Sequence, residues 1–110
     1  MRCNLDFPAR WVDSDQFEMA LRQSGGPHRA DVHDVVFKFP VGCKVMVDTG
    51  VRLLSLANQL DSSFHHVRLE FDEGETGTMG YLDRMGFFDC LAKNIEVEPD
   101  RPLYSSAKLY

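Results

Sequence analysis

Between Val35 and Val97 the hydrophobic pattern changes from strand to helix and back twice, and that alternation limits the fold more than any other feature. Val35-Val36-Phe37-Lys38-Phe39 is a short apolar run ended by Pro40 and Gly42, rich in residues that suit a pleated surface. Its continuous apolarity predicts a central strand with both faces covered. Met46, Gly50, Leu53, Leu54, Ala57 and Leu60 then form one stripe at helical spacing, which predicts a helix within 43–60. Val45 and Val47 could instead make an extended lead-in with Asp48 as the cap. Val67, Leu69 and Phe71 alternate with Arg68 and Glu70, a strand with one buried face. After an acidic, glycine-containing loop, Met79, Leu82 and Met85 mark a short helix with Thr78 as its N-cap. Gly86 stops that helix by taking the left-handed conformation that a side chain disfavours. Ile95 and Val97, flanked by Asn94, Glu96 and Glu98, predict a last short strand. Strands separated by helices imply βαβ crossovers. The expected class is a small α/β fold: a largely parallel or mixed β-sheet with covering helices.

The 110 residues fit one domain, with 1–34 as an N-terminal extension, 35–98 as the core and 99–110 as a tail. In the extension, Pro8 limits any strand to a short or edge one. Trp11, the only tryptophan, is expected to be a core or lid residue. Asp13 with Gln16 fits a capping box, and Phe17, Ala20 and Leu21 line one face of a helix over roughly 14–23. Gly25-Gly26-Pro27 ends it, and a loop runs on to Asp34.

Charge divides unevenly along the chain. Residues 1–60 carry seven basic and seven acidic side chains, whereas 61–110 carry five and ten, so the net charge of −5 belongs to the second half. Such a surface repels phosphate backbones and favours a partner with a basic surface. Cys3, Cys43 and Cys90 are widely spaced, odd in number and without a CxxC pair, which suits reduced, partly buried thiols. No run approaches the ~18 apolar residues of a membrane span. The first residues lack the apolar stretch of a secretory signal, so a cytoplasmic location is expected.

No pattern of catalytic residues stands out. Gly74-x-x-Gly77-x-x-Gly80 lies between a strand and a helix, where anions often bind, but it lacks the P-loop lysine and the dinucleotide spacing. Asp72, Glu73 and Glu75 would repel a phosphate, and their spacing is not that of a calcium loop. His65 and His66 are neighbours in an extended segment and so point apart, while His28 and His33 lie in a loop. There is no nucleophile elbow, and Cys90 has no histidine nearby in sequence. The expectation is a non-enzymatic protein with no catalytic residue, cofactor or metal. A docking face is expected in the loop and helix after the 67–71 strand, built from Asp72, Glu73, Glu75, Thr76, Thr78, Tyr81, Arg84, Phe87 and Phe88.

The strand before a helix carrying VRLLSLANQL, then VRLEF, a short loop and GYLDRMGFF, resembles the STAS fold of anti-sigma-factor antagonists across roughly 35–98. It is more similar still to the STAS-like modules found with bacterial GHKL-type ATP-binding proteins. The resemblance implies a regulatory module whose loop and helix after the strand dock a partner, with a Ser or Thr at the helix mouth phosphorylated by a kinase partner. Thr78 or Thr76 would hold that position, where Glu75-Thr76-Gly77-Thr78 replaces the family's usual Asp-Ser. Nucleotide chemistry would belong to the partner, a GHKL-type ATPase. Two other readings stay open. One is a small acidic phage or mobile-element inhibitor of a host defence complex, anti-CRISPR-like, competing with nucleic acid for a basic surface. The other is a small-ligand or metal binder. A homodimer is a further option.

Overall fold

Ten elements follow one another in the computed structural model, which describes residues 1–73, 77–99 and 101. They are β1 (Arg2–Asp6), β2 (Trp11–Val12), α1 (Ser14–Gln23), β3 (Asp34–Phe39), β4 (Lys44–Val45), α2 (Val47–Ser62), β5 (His66–Phe71), α3 (Thr78–Arg84), α4 (Phe87–Cys90) and β6 (Glu96–Glu98). The main sheet is parallel, in the order β1–β3–β5–β6. The fold is therefore a small α/β one, as the alternating periods predict. Residues 1–34 do not stand apart as an extension, because β1 is an edge strand of the sheet and α1 packs on it. Cys3, Leu5 and Phe7 alternate with Arg2, Asn4 and Asp6, a period-two signal that Pro8 obscures.

Register sorts the side chains into two faces. Cys3, Val35 and Val67 align across the sheet, as do Leu5, Phe37, Leu69 and Val97, and these rows face the helices. On the reverse face Arg2, Asp34 and His66 align, then Asn4, Val36, Arg68 and Glu96, then Asp6, Lys38, Glu70 and Glu98. Among the described residues no element packs on this reverse face. The covering expected on both sides of Val35–Phe39 is thus present on one side only. The physical reason is connectivity: each crossover joins neighbouring strands in the same direction, so a single handedness puts every helix on one side. Val36 is still buried, in a row with Asn4, Arg68 and Glu96.

Four phenylalanines cross the carboxyl ends of the strands under the helices. Phe7 stacks on Phe39 with centroids 5.0 Å apart, Phe39 on Phe71 at 4.6 Å, and Phe71 meets the edge of Phe88 at 6.1 Å. Helix ends follow the local chemistry. Asp13 caps α1 by accepting from the Gln16 N–H at 3.0 Å, but the Gln16 carboxamide accepts from Arg10 instead of closing the capping box. The long stripe begins later than the helical period alone suggests, with β4 as the extended lead-in and Met46, not Asp48, at the N-cap. Gly86 turns at φ 83 between α3 and α4. Asn58 on α2 then holds α4 in place, donating to the Cys90 carbonyl at 3.0 Å and accepting from the Ala92 N–H at 2.8 Å. The Arg101 guanidinium donates to the carbonyls of Leu91, Ala92 and Ile95 and ties the chain after β6 to the α4 end. No helix among the described residues is long and apolar enough to cross a membrane.

The polar face has one titratable brace. His66 Nδ1 lies 3.1 Å from Asp34 on β3 and Nε2 lies 3.2 Å from Glu96 on β6, with Arg2 beside Asp34 in register and Arg68 3.6 Å from Glu96. Hydrogen bonding to Glu96 first, and to Asp34 second, raises the imidazole pKa above its ordinary 6.5. The folded-state value is the higher one, so the charged brace contributes fully below pH 6.5 and is lost as pH rises through the raised value. The contribution is small because the ring is exposed. The expected result is that the thermal midpoint of the native protein falls relative to that of His66→Gln as pH climbs above 6.5. Parallel midpoint–pH curves for the two proteins would remove the brace from the account.

Candidate functional site

Past the carboxyl ends of β1 and β3 the chain pairs a second time, as a short parallel ladder of β2 with β4. Trp11 is opposite Lys44 and Val12 opposite Val45, and the ladder is closed by Lys44 N–H to Arg10 C=O and Met46 N–H to Val12 C=O, both 3.1 Å. Val12 and Val45 are buried, so strand alternation turns Trp11, Lys44 and Met46 outward. Lys44 Nζ sits 5.5 Å from the Trp11 ring centroid, a cation–π arrangement that holds the ammonium in place.

A cleft of about 300 Å³ separates this ladder from α3. Trp11, Cys43 and Lys44 line it from the ladder side, and Thr78, Tyr81 and Arg84 from α3. The three α3 residues are spaced by three, which makes them neighbours on one ridge of the helix. Glu73 and Gly77 complete the lining. The position is one where open parallel sheets generally receive ligands and partners, beyond the carboxyl ends of the strands. Directly after β4 in the chain, Met46, Val47 and Val51 are all exposed apolar residues at the start of α2.

Gly77 makes room for a side chain of the protein itself. A Cβ at Gly77 would come within 2.7 Å of the Glu73 Cβ and 3.0 Å of its Oε2, so the open space at Gly77 is filled by the Glu73 side chain. The Glu73 carboxylate in turn accepts from the Gly42 N–H, which joins the loop after β5 to the loop after β3. Gly74, Glu75 and Thr76 lie outside the described residues.

The sequence-predicted docking residues divide three ways. Tyr81 and Arg84 border the cleft, half-buried and exposed respectively, and Glu73 lines it. Asp72 is exposed, with its N–H donated to the Phe39 carbonyl at 3.0 Å. Phe87 and Phe88 are only 4% and 8% exposed and belong to the core, their rings edge to face at 5.2 Å. They are therefore off the docking face: a helix that starts straight after Gly86 rolls both rings inward against Phe71 and α2. Thr78 also changes role. It is the first residue of α3, with Gly77 at the N-cap, and its hydroxyl donates to the Cys43 carbonyl while the residue is 6% exposed.

Trp11 and Lys44 are the residues that sequence reasoning left out. Of the two places expected for Trp11, core or lid, its 55% exposure at the rim removes the core one. Its only local signal is its place before a buried valine; its pairing with Lys44 spans 33 positions and cannot be read from a local window.

Burial, first of all, pushes the Cys43 thiol up to about 11, with the Glu73 carboxylate adding to the rise against a hydrogen bond to Thr78, so this sulfur stays protonated. Among the described residues no group of three histidines, cysteines or carboxylates could hold a metal ion. No protein-family model, curated protein or solved structure matches the chain.

Proposed function

We propose that this chain is a non-enzymatic, STAS-like regulatory module that docks a partner protein through the face formed by the β2–β4 ladder and α3. One observation carries the reading: an exposed tryptophan, a half-buried tyrosine and two cations surround a single cleft, and exposed Met46, Val47 and Val51 follow Lys44 in the chain. Tryptophan, tyrosine and arginine are the residue types that dominate interface energetics. An apolar segment of this kind extends the footprint toward the ~800 Å² per partner of a specific complex. The likeness in element order, VRLLSLANQL and GYLDRMGFF supports the same region, since the family docks through the loop and helix after this strand.

The reading as a nucleic-acid competitor is weaker on charge. The carboxylates of the open sheet face are interleaved with cations: Arg68 reaches Glu70, Glu96 and Glu98, Arg2 reaches Glu70, and His66 reaches Asp34. A surface neutralised in this way lacks the unbroken negative field that a basic channel would attract.

Affinity capture from native lysate with the full chain, compared with Tyr81→Ala combined with Arg84→Ala, tests the docking face. The expected result is a discrete partner whose recovery falls by about tenfold or more in the double variant. Equal recovery from both proteins, at equal thermal midpoints, would remove this face as the docking surface.

A further inference from the structure

We infer that the cleft accepts an acidic peptide segment of the partner: one Asp or Glu carboxylate held by Lys44 and Arg84, with an adjoining apolar side chain against Trp11 and Tyr81. The inference rests on the docking reading above and names the chemistry of what docks.

Charge complementarity carries it. Among the described residues neither Lys44 nor Arg84 pairs with a carboxylate, whereas Arg2, Arg29, Arg52 and Arg68 all do. In a chain with 17 acidic and 12 basic side chains, two such cations on different elements lining one cleft form a local reversal of the overall sign. A guanidinium can grip a carboxylate through two parallel N–H donors, and an ammonium already stacked on an indole ring loses little freedom in joining it.

Size and surroundings favour a peptide over a small molecule. About 300 Å³ is at the low end for a ligand pocket and suits one or two side chains. Met46, Val47 and Val51, exposed and apolar, follow Lys44 in the chain but do not line the cleft, and a peptide offers more length than a small molecule to extend toward them. A phosphate is disfavoured by Glu73 in the same lining, because its second negative charge doubles the repulsion that a carboxylate meets. The −5 net charge acts at longer range and does not set the contact chemistry inside the cleft.

Trp11 is the only tryptophan, so fluorescence excited selectively at tryptophan reports on this cleft. A random 12-residue peptide library panned against the full chain should enrich sequences with Asp or Glu next to an aromatic or aliphatic residue. Titration of a selected peptide should then change Trp11 emission saturably. The same peptide should bind at least tenfold more weakly to Lys44→Glu combined with Arg84→Glu, two exposed positions whose exchange leaves the thermal midpoint unchanged. Selected peptides with no acidic excess, lost on Tyr81→Ala, would overturn the acidic assignment while leaving the docking face standing. Acidic peptides that bind the charge-reversed protein equally well would overturn the roles of Lys44 and Arg84. A Trp11 response to inorganic phosphate at lower concentration than to the peptide would replace the peptide by an anion site. Failure to select any peptide would overturn the inference alone, and the docking reading would stand or fall on partner recovery by Tyr81→Ala combined with Arg84→Ala.

Discussion

Phe39→Ala is expected to reduce the free energy of unfolding by about 3–5 kcal/mol, the cost typical of deleting a large ring from a close-packed core. Phe39 ends the central strand, is 2% exposed, and has Phe7 stacked on one side and Phe71 on the other. Its removal deletes apolar contact and leaves a cavity between two rings whose backbones are fixed by the β1–β3 and β3–β5 ladders, so the site can collapse only partly. Against a total stability of about 5–15 kcal/mol, such a loss is a large fraction of what holds the fold. Denaturant titration of the two proteins measures it. Phe64→Ala is the matched control: the same ring is deleted where it is 97% exposed, in a turn where φ is 67, and no loss is expected. A cost below about 1 kcal/mol for Phe39→Ala would mean that the aromatic row is not packed as described. The loops carrying Glu73 and Gly42 leave the sheet next to Phe71 and Phe39, so the variant should also weaken whatever binds the cleft.

Thr78→Glu is the second large effect. The hydroxyl of Thr78 donates to the Cys43 carbonyl in a buried position, and the thiol of Cys43 already sits in surroundings that disfavour charge. A carboxylate there would lose the hydrogen bond, overfill the buried space and stand near Glu73. Each lost or unsatisfied group costs about 1–3 kcal/mol, so a total of roughly 3 kcal/mol or more is expected, against about 1–3 for Thr78→Val. Thermal and denaturant unfolding of both variants test this. Wild-type stability in Thr78→Glu would show that the hydroxyl is not held as described. The consequence for regulation is direct. A phosphate on Thr78 could not simply decorate the helix mouth; it would have to displace the first turn of α3 and with it the Tyr81–Arg84 wall of the cleft. Thr76, the other residue that the STAS resemblance suggests, lies outside the described residues.

How much of the cleft was legible depends on the distance over which each residue's neighbours lie. Tyr81 and Arg84 follow from the helical spacing after a recognisable strand and loop, because both are surface positions of one short amphipathic helix. Phe87 and Phe88 could not be assigned to surface or core from a paired-aromatic pattern, since the turn at Gly86 decides which way they roll. Trp11 and Lys44 needed the β2–β4 pairing.

The order of α1, β3, α2, β5, α3 and β6 was written in the sequence, because hydrophobic period is a local property and each element must bury one stripe or one face. Local chemistry likewise settled the Asp13 cap and the left-handed Gly86. Tertiary structure alone decided that Arg2–Asp6 completes the sheet and that one face of a parallel sheet carries a charged lattice with no covering layer among the described residues. It also decided that a lone tryptophan would meet Lys44 and α3 across a cleft. Those outcomes depend on strand order and register, which are set by which segments share a core, and no local window of residues contains that information.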